Sequence, residues 1–121
     1  MKISTDWVRE EAQNLVQNAV VIDTETTGLG ENDTIVELAA VRAFDRLVVF
    51  DSLVQPLSPV HPAAAAVHGI DPLKAYMQGT PADLAVSQML VSIDDSSCTS
   101  ITSYNLNFDR RLIEQIGRAH V

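Results

Sequence analysis

Asp23 and Glu25 stand two positions apart at the end of the apolar, β-branched run Val20-Val21-Ile22. In an extended chain that spacing sets both carboxylates on one face. Two acids leaving an apolar strand together are costly unless something neutralises them, and a hard divalent cation such as Mg2+ or Mn2+ prefers carboxylate oxygens. The plainer reading is that the strand ends here and both side chains are solvated turn residues. A bare D-x-E pair favours that second reading, so the surrounding elements have to decide.

Those elements follow from periodicity and punctuation. Residues 6–19 read as an amphipathic helix with Thr5 or Asp6 as N-cap, and Trp7, Val8, Ala12, Leu15, Val16 and Ala19 as its buried stripe. Residues 20–22 open a strand that runs into Asp23-Thr24-Glu25-Thr26-Thr27-Gly28. Polar residues 30–33 lead to a second strand over 34–44. It is apolar nearly throughout apart from Glu37 and Arg42, as expected of a central strand covered on both faces. Asp45-Arg46 suits a tight connection into a third strand, 47–54. Pro56, Pro59 and Pro62 then interrupt regular structure. A short helix from Pro62 to His68 fits, with Gly69 just past its end, followed by a turn at Asp71-Pro72. A helix over 81–92, a polar loop, a strand over 100–104 and a last helix over 107–115, capped by Asn105, complete the pattern. This order predicts an α/β domain on a mixed sheet.

Bulk properties narrow the class further. A chain of 121 residues with 46% hydrophobic and 20% charged residues holds one domain with a real core. No apolar run reaches the roughly 20 residues of a membrane span, and Met1 to Asp6 lacks the apolar core of a signal peptide. The single cysteine, Cys98, cannot form an intramolecular disulfide, which suits the cytoplasm. A net charge of −8 argues against a passive nucleic-acid binder, which carries a basic surface. It is compatible with a site that meets phosphate through bound cations.

The string Val20-Val21-Ile22-Asp23-Thr24-Glu25-Thr26-Thr27-Gly28-Leu29 resembles the first exonuclease motif of the DEDDh exonuclease family, the group containing bacterial proofreading subunits and ribonuclease T. The resemblance continues through Ile35-Val36-Glu37-Leu38-Ala39-Ala40-Val41 and Val67-His68-Gly69-Ile70. It ends at Tyr104-Asn105-Leu106-Asn107-Phe108-Asp109, which is similar to the second motif, N-x-x-F-D. Several motifs in order are far more specific than one alone. A dinucleotide-binding domain is a poorer match, since no G-x-G-x-x-G follows the first strand.

The resemblance implies a ribonuclease H-like mixed sheet flanked by helices. It implies a 3′→5′ exonuclease that hydrolyses single-stranded DNA or RNA to nucleoside monophosphates, using two Mg2+ or Mn2+ ions. Asp23, Glu25 and Asp109 would be the catalytic metal ligands, and Thr26, Thr27, Gly28 and Leu29 the wall of a terminal-nucleotide pocket. His68 and Asn105 are further substrate-binding candidates, although His68 also suits simple packing and Asn105 a helix cap. Glu37 reads as a buried structural acid and Phe108 as core. The partners implied are a nucleic-acid 3′ end, with a second copy or a polymerase as protein candidates, and no membrane. The alternative is a non-catalytic nucleic-acid or protein-binding module on the same fold, which has no need of three converging acids.

The family's third motif, H-x-x-x-x-D, has no counterpart here. Ala66 lies five positions after His61, Leu73 five after His68, and His120 is one residue from the end. The chain therefore reads as the N-terminal portion of an exonuclease domain, with an accessory helix over 1–19 and a core over 20–115, incomplete at the C-terminus and expected to be inactive alone. Residues 116–121 break the helical pattern of Phe108, Leu112 and Ile113 and are expected to be a non-native tail.

Overall fold

In a computed structural model, residues 5–103 and 106–119 are described. Helix α1 (Thr5–Asn18) passes without a connecting residue into strand β1 (Ala19–Thr26). Strands β2 (Ile35–Arg42) and β3 (Val48–Leu53) follow, then helices α2 (Pro62–His68), α3 (Pro72–Gln78) and α4 (Ala82–Asp95), strand β4 (Ser100–Ser103) and helix α5 (Leu106–Ala119). The sheet order is β3-β2-β1-β4, with β1–β2 and β2–β3 antiparallel and β1–β4 parallel. This is the mixed α/β sheet with flanking helices that the sequence predicts. No described helix is long and apolar enough to cross a membrane.

Strand alternation divides the sheet into two unlike faces. Val20, Ile22, Leu38 and Ala40 point to one side and form the core with Ala85, Met89 and Ile93 of α4 and Leu112 and Ile116 of α5. Ala82, Ala85, Met89 and Ile93 recur at helical spacing, so α4 lays one stripe along the strands. The other face carries Val21, Asp23 and Glu25 of β1 beside Val41, Ala39 and Glu37 of β2, with Asp51 of β3 opposite Ala39. None of these seven is buried. The expectation that β2 is covered on both faces is therefore corrected among the described residues: β2 is central, but one of its faces is open.

Three further differences have local causes. Of the stripe predicted for α1, Ala12, Leu15 and Val16 are exposed, Leu15 and Val16 at 62% and 49%, while Ala19 is buried as the first residue of β1. With Asn18 and Ala19 adjacent in helix and strand, the chain has no turn in which to fold the helix back onto the sheet. Trp7 and Val8 have side chains outside the description. Helix α3 occupies the stretch read as a turn at Asp71-Pro72, where the Asp71 carboxylate accepts the Leu73 N–H at 3.0 Å and Pro72 opens the first turn. Finally, α5 continues past residue 115, and Ile116 joins the core, so the helical pattern runs into the segment expected to be a tail. The short helix before Gly69 forms as predicted, with Gly69 at φ 69° in the left-handed region that favours glycine.

Candidate functional site

β1 extends through Asp23-Thr24-Glu25-Thr26, so the two acids are strand residues and not turn residues. Asp23 is exposed and Glu25 half-buried on the open face. Glu25 pairs across the ladder with Glu37. Burial pushes the Glu37 carboxyl above the usual range, and the charges of Asp51, Glu25 and Asp23 push it further. Asp23, Glu25, Glu37 and Asp51 thus share the open face, and carboxylates gathered in this way are what a divalent cation neutralises.

Asp109 arrives from the first turn of α5 and is 8% exposed. Its Oδ1 accepts the Thr24 hydroxyl at 2.5 Å. Thr24 lies between Asp23 and Glu25, and its side chain leaves β1 on the other face. All three predicted ligands therefore meet one stretch of β1. Even so, the described residues contain no group of three or more His, Cys, Asp or Glu able to hold a metal ion. Asp23 and Glu25 fit part of a cation site by their chemistry; with Asp109 they do not make a complete one.

A cavity of about 590 Å3 opens beside Glu25. Thr24, Thr26, Gly28, Leu29, Gly30 and Asp33 line one side, and His61, Ala63, Ala64, Val67 and His68 the other. Leu29 is 85% exposed and free to pack on a ligand. Thr26 donates its hydroxyl to the Gly28 carbonyl at 2.7 Å. Thr27 is fully buried behind the cavity and bonds Asp33 Oδ1 at 2.8 Å and the Ser58 hydroxyl at 3.0 Å. Its oxygen also accepts the Thr34 N–H at 2.9 Å. The two threonines therefore shape the loop and hold their hydroxyls inside it. Gly28 is required by close approach: a Cβ there would lie 2.4 Å from His61 Cδ2 and 2.5 Å from Asp33 Oδ2.

His68 lines the cavity while both ring nitrogens are engaged. Ile70 N–H donates to Nδ1 at 3.0 Å, which places the ring proton on Nε2, and Nε2–H donates to the Thr26 carbonyl at 3.1 Å. The imidazole ties the end of α2 to the end of β1. Asn105 lies outside the described residues, as does the side chain of Phe108.

Two residues of this site escape the sequence analysis. Asp33 is buried, accepting Thr27 Oγ1 on one oxygen and Gly30 N–H on the other at 2.7 Å, with His61 Nε2 at 3.2 Å. Burial alone would raise its pKa, but the Thr27 hydroxyl, the Gly30 N–H and His61 outweigh that and hold it below the usual range. The signals available were an aspartate closing a glycine-containing loop and a histidine directly before Pro62. Neither is specific without the fold that joins them.

Comparison with known proteins places these features in a family. The sequence profile of exonucleases of the ribonuclease T type matches residues 20–102. The chain is 29% identical over 123 residues to the uncharacterized exonuclease CP81 of Escherichia phage 186, covering 99% of this chain and 60% of that one. It is 37% identical over 102 residues to a DNA polymerase III subunit epsilon-like protein of Rhodobacter capsulatus, covering 79% of this chain and 14% of that one. Among solved structures, product-bound exonuclease I superposes with a TM-score of 0.67 at 20% identity, over 83% of this chain and 25% of that one. E. coli exonuclease I in complex with a dA13 oligonucleotide gives 0.66. The chain spans about three fifths of the phage relative and smaller shares of the others.

Proposed function

The chain belongs to the ribonuclease T-like, DEDDh-type exonuclease family, and from that premise we propose that the whole protein removes nucleotides from the 3′ end of single-stranded nucleic acid. Nucleoside monophosphates are the product. The observation that carries this reading is the junction of two features at Glu25: an open sheet face bearing Asp23, Glu25, Glu37 and Asp51, and a cavity of about 590 Å3. That volume is in the range of small-ligand sites.

Asp23 and Glu25 would hold a divalent cation, Mg2+ or Mn2+, and Asp109, bonded to Thr24 on the other face of β1, would join them only if that bond gave way. When bound, such ions lower the pKa of an attacking water and neutralise charge on the leaving oxygen. The chain's own residues do the rest. Leu29, Ala63 and Val67 offer apolar surface to the terminal nucleoside, and the Thr26–Gly28 loop keeps its shape through Thr27 and Asp33. The Thr24–Asp109 bond fixes α5 against the strand that carries both acids. The epsilon-like name of the R. capsulatus relative supports a polymerase partner, with self-association as the other candidate.

Digestion of single-stranded DNA and RNA oligonucleotides labelled at either end tests this reading, using the full-length protein with Mn2+. Loss of the 3′ label as free mononucleotide before any shortening from the 5′ end, abolished in Asp23→Ala, is the expected result. Release from the 5′ end, or equal activity without divalent metal, overturns it.

A further inference from the structure

We propose that His61 determines specificity in this cavity, accepting through Nδ1 a hydrogen bond from a donor on the terminal nucleotide while Asp33 holds the ring by Nε2. The inference rests on the nucleotide-pocket reading above and adds the residue that reads the nucleotide.

The polar side chains on the cavity wall are nearly all committed to partners within the protein. Thr24 gives its hydroxyl to Asp109, and Thr26 gives its own to the Gly28 carbonyl. His68 has both nitrogens engaged. Asp33 already accepts Thr27, Gly30 and His61. Glu25 belongs to the acidic face. What remains among the described lining residues is the outer edge of His61.

The backbone fixes that edge. His61 sits immediately before α2 with extended dihedrals, and its side chain makes no capping bond. Its N–H donates to the Thr27 carbonyl at 2.8 Å, and its carbonyl accepts the Ala65 N–H at 3.0 Å. The ring turns its Cδ2–Nε2 edge to the loop, with Cδ2 against Gly28 and Nε2 on the Asp33 carboxylate. The Asp33 carboxylate at Nε2 selects the tautomer with its proton there, and in that tautomer Nδ1 is an acceptor. Nδ1 lies across the ring from the loop, on a side chain that is 63% exposed. The groups of a terminal nucleotide that suit such an acceptor are a sugar hydroxyl or an exocyclic amine.

Glutamine separates the two nitrogens, because its amide N–H reaches where Nε2 does and nothing replaces Nδ1. The experiment is calorimetric binding to the 121-residue chain with Mn2+ present, comparing wild type, His61→Gln and His61→Ala. The probes are thymidine 5′-monophosphate, its 3′-deoxy analogue and deoxycytidine 5′-monophosphate. His61→Gln is expected to weaken binding about three- to tenfold, as loss of one neutral hydrogen bond does. Weakening for both natural nucleotides but not the 3′-deoxy analogue assigns the donor to the sugar hydroxyl; weakening for the cytidine nucleotide alone assigns it to the amine. Wild-type affinity in His61→Gln for every probe overturns the proposal and leaves the pocket standing. No binding of any nucleotide to wild type overturns the pocket reading, and the proposal with it. If His61→Gln also loses thermal stability, the 15N resonance of His61 Nδ1 in wild type decides: a shift at saturating nucleotide supports the contact, and an unmoved signal overturns it.

Discussion

Thr24 and Asp109 are 85 positions apart in the chain and joined by a 2.5 Å hydrogen bond from the threonine hydroxyl to the carboxylate. The bond locks the first turn of α5 to the centre of the acidic strand. It also brings Asp109 to the residue between Asp23 and Glu25, on the opposite side of β1.

Thr24→Val keeps the shape of the side chain and removes the donor. Asp109, nearly buried, then lacks this partner. The expected cost is about 1–3 kcal/mol, that of leaving a buried acceptor unsatisfied. Urea unfolding measures it, and an unchanged midpoint would show that the bond contributes nothing to stability.

Asp33→Asn removes the charge at which Thr27, Gly30 and His61 converge. A destabilisation of about 1.5–3 kcal/mol is expected, since hydrogen bonds to charged groups are worth that much. The pH dependence follows from the depressed pKa. The ionised carboxylate contributes its full stability above the ordinary value of 3.8 and loses it as pH falls through the lower folded value. Melting curves taken on acidification below 3.8 should therefore fall more steeply for wild type than for Asp33→Asn.

Glu37→Gln should act with the opposite sign. Burial and the charges of Asp51, Glu25 and Asp23 raise the Glu37 pKa above its ordinary 4.5. Its favourable contribution is complete below 4.5 and is lost as pH rises through the folded value. The variant should gain melting temperature over wild type as pH rises above 4.5 in metal-free buffer. A difference that does not grow with pH would mean the acidic face carries no strain.

Gly28→Ala tests the close approach of the loop to α2. The added Cβ meets His61, which is exposed and able to move, and Asp33, which is held by three bonds. An overpacking cost of about 1–3 kcal/mol is expected. Thermal unfolding measures the loss, and a stability equal to wild type would show that the loop yields freely.

Much of this was legible in the sequence because it is local. The β-branched run before Asp23, the Pro62 start and Gly69 end of α2, and the apolar run of β2 each encode their own element. What was not legible depends on contacts between distant segments. The Asp33–His61 pair joins a loop to a helix start 28 positions away, and nothing in either segment announces the other. Thr26 and Thr27 read as pocket wall, and nothing in their own segment shows that both hydroxyls turn into the loop. The apolar stripe of α1 carries a helical period and still finds no sheet to cover, because β1 begins at the next residue.

The most direct test of the central claim, that the open face of β1 holds a divalent cation, is a calorimetric Mn2+ titration of the 121-residue chain with Asp23→Ala and Glu25→Ala. Saturable binding to wild type, weakened about tenfold or more in each variant (~1.4 kcal/mol per tenfold step), is the predicted result. Binding that both variants leave unchanged would contradict it, as would a folded wild-type chain that takes up no metal.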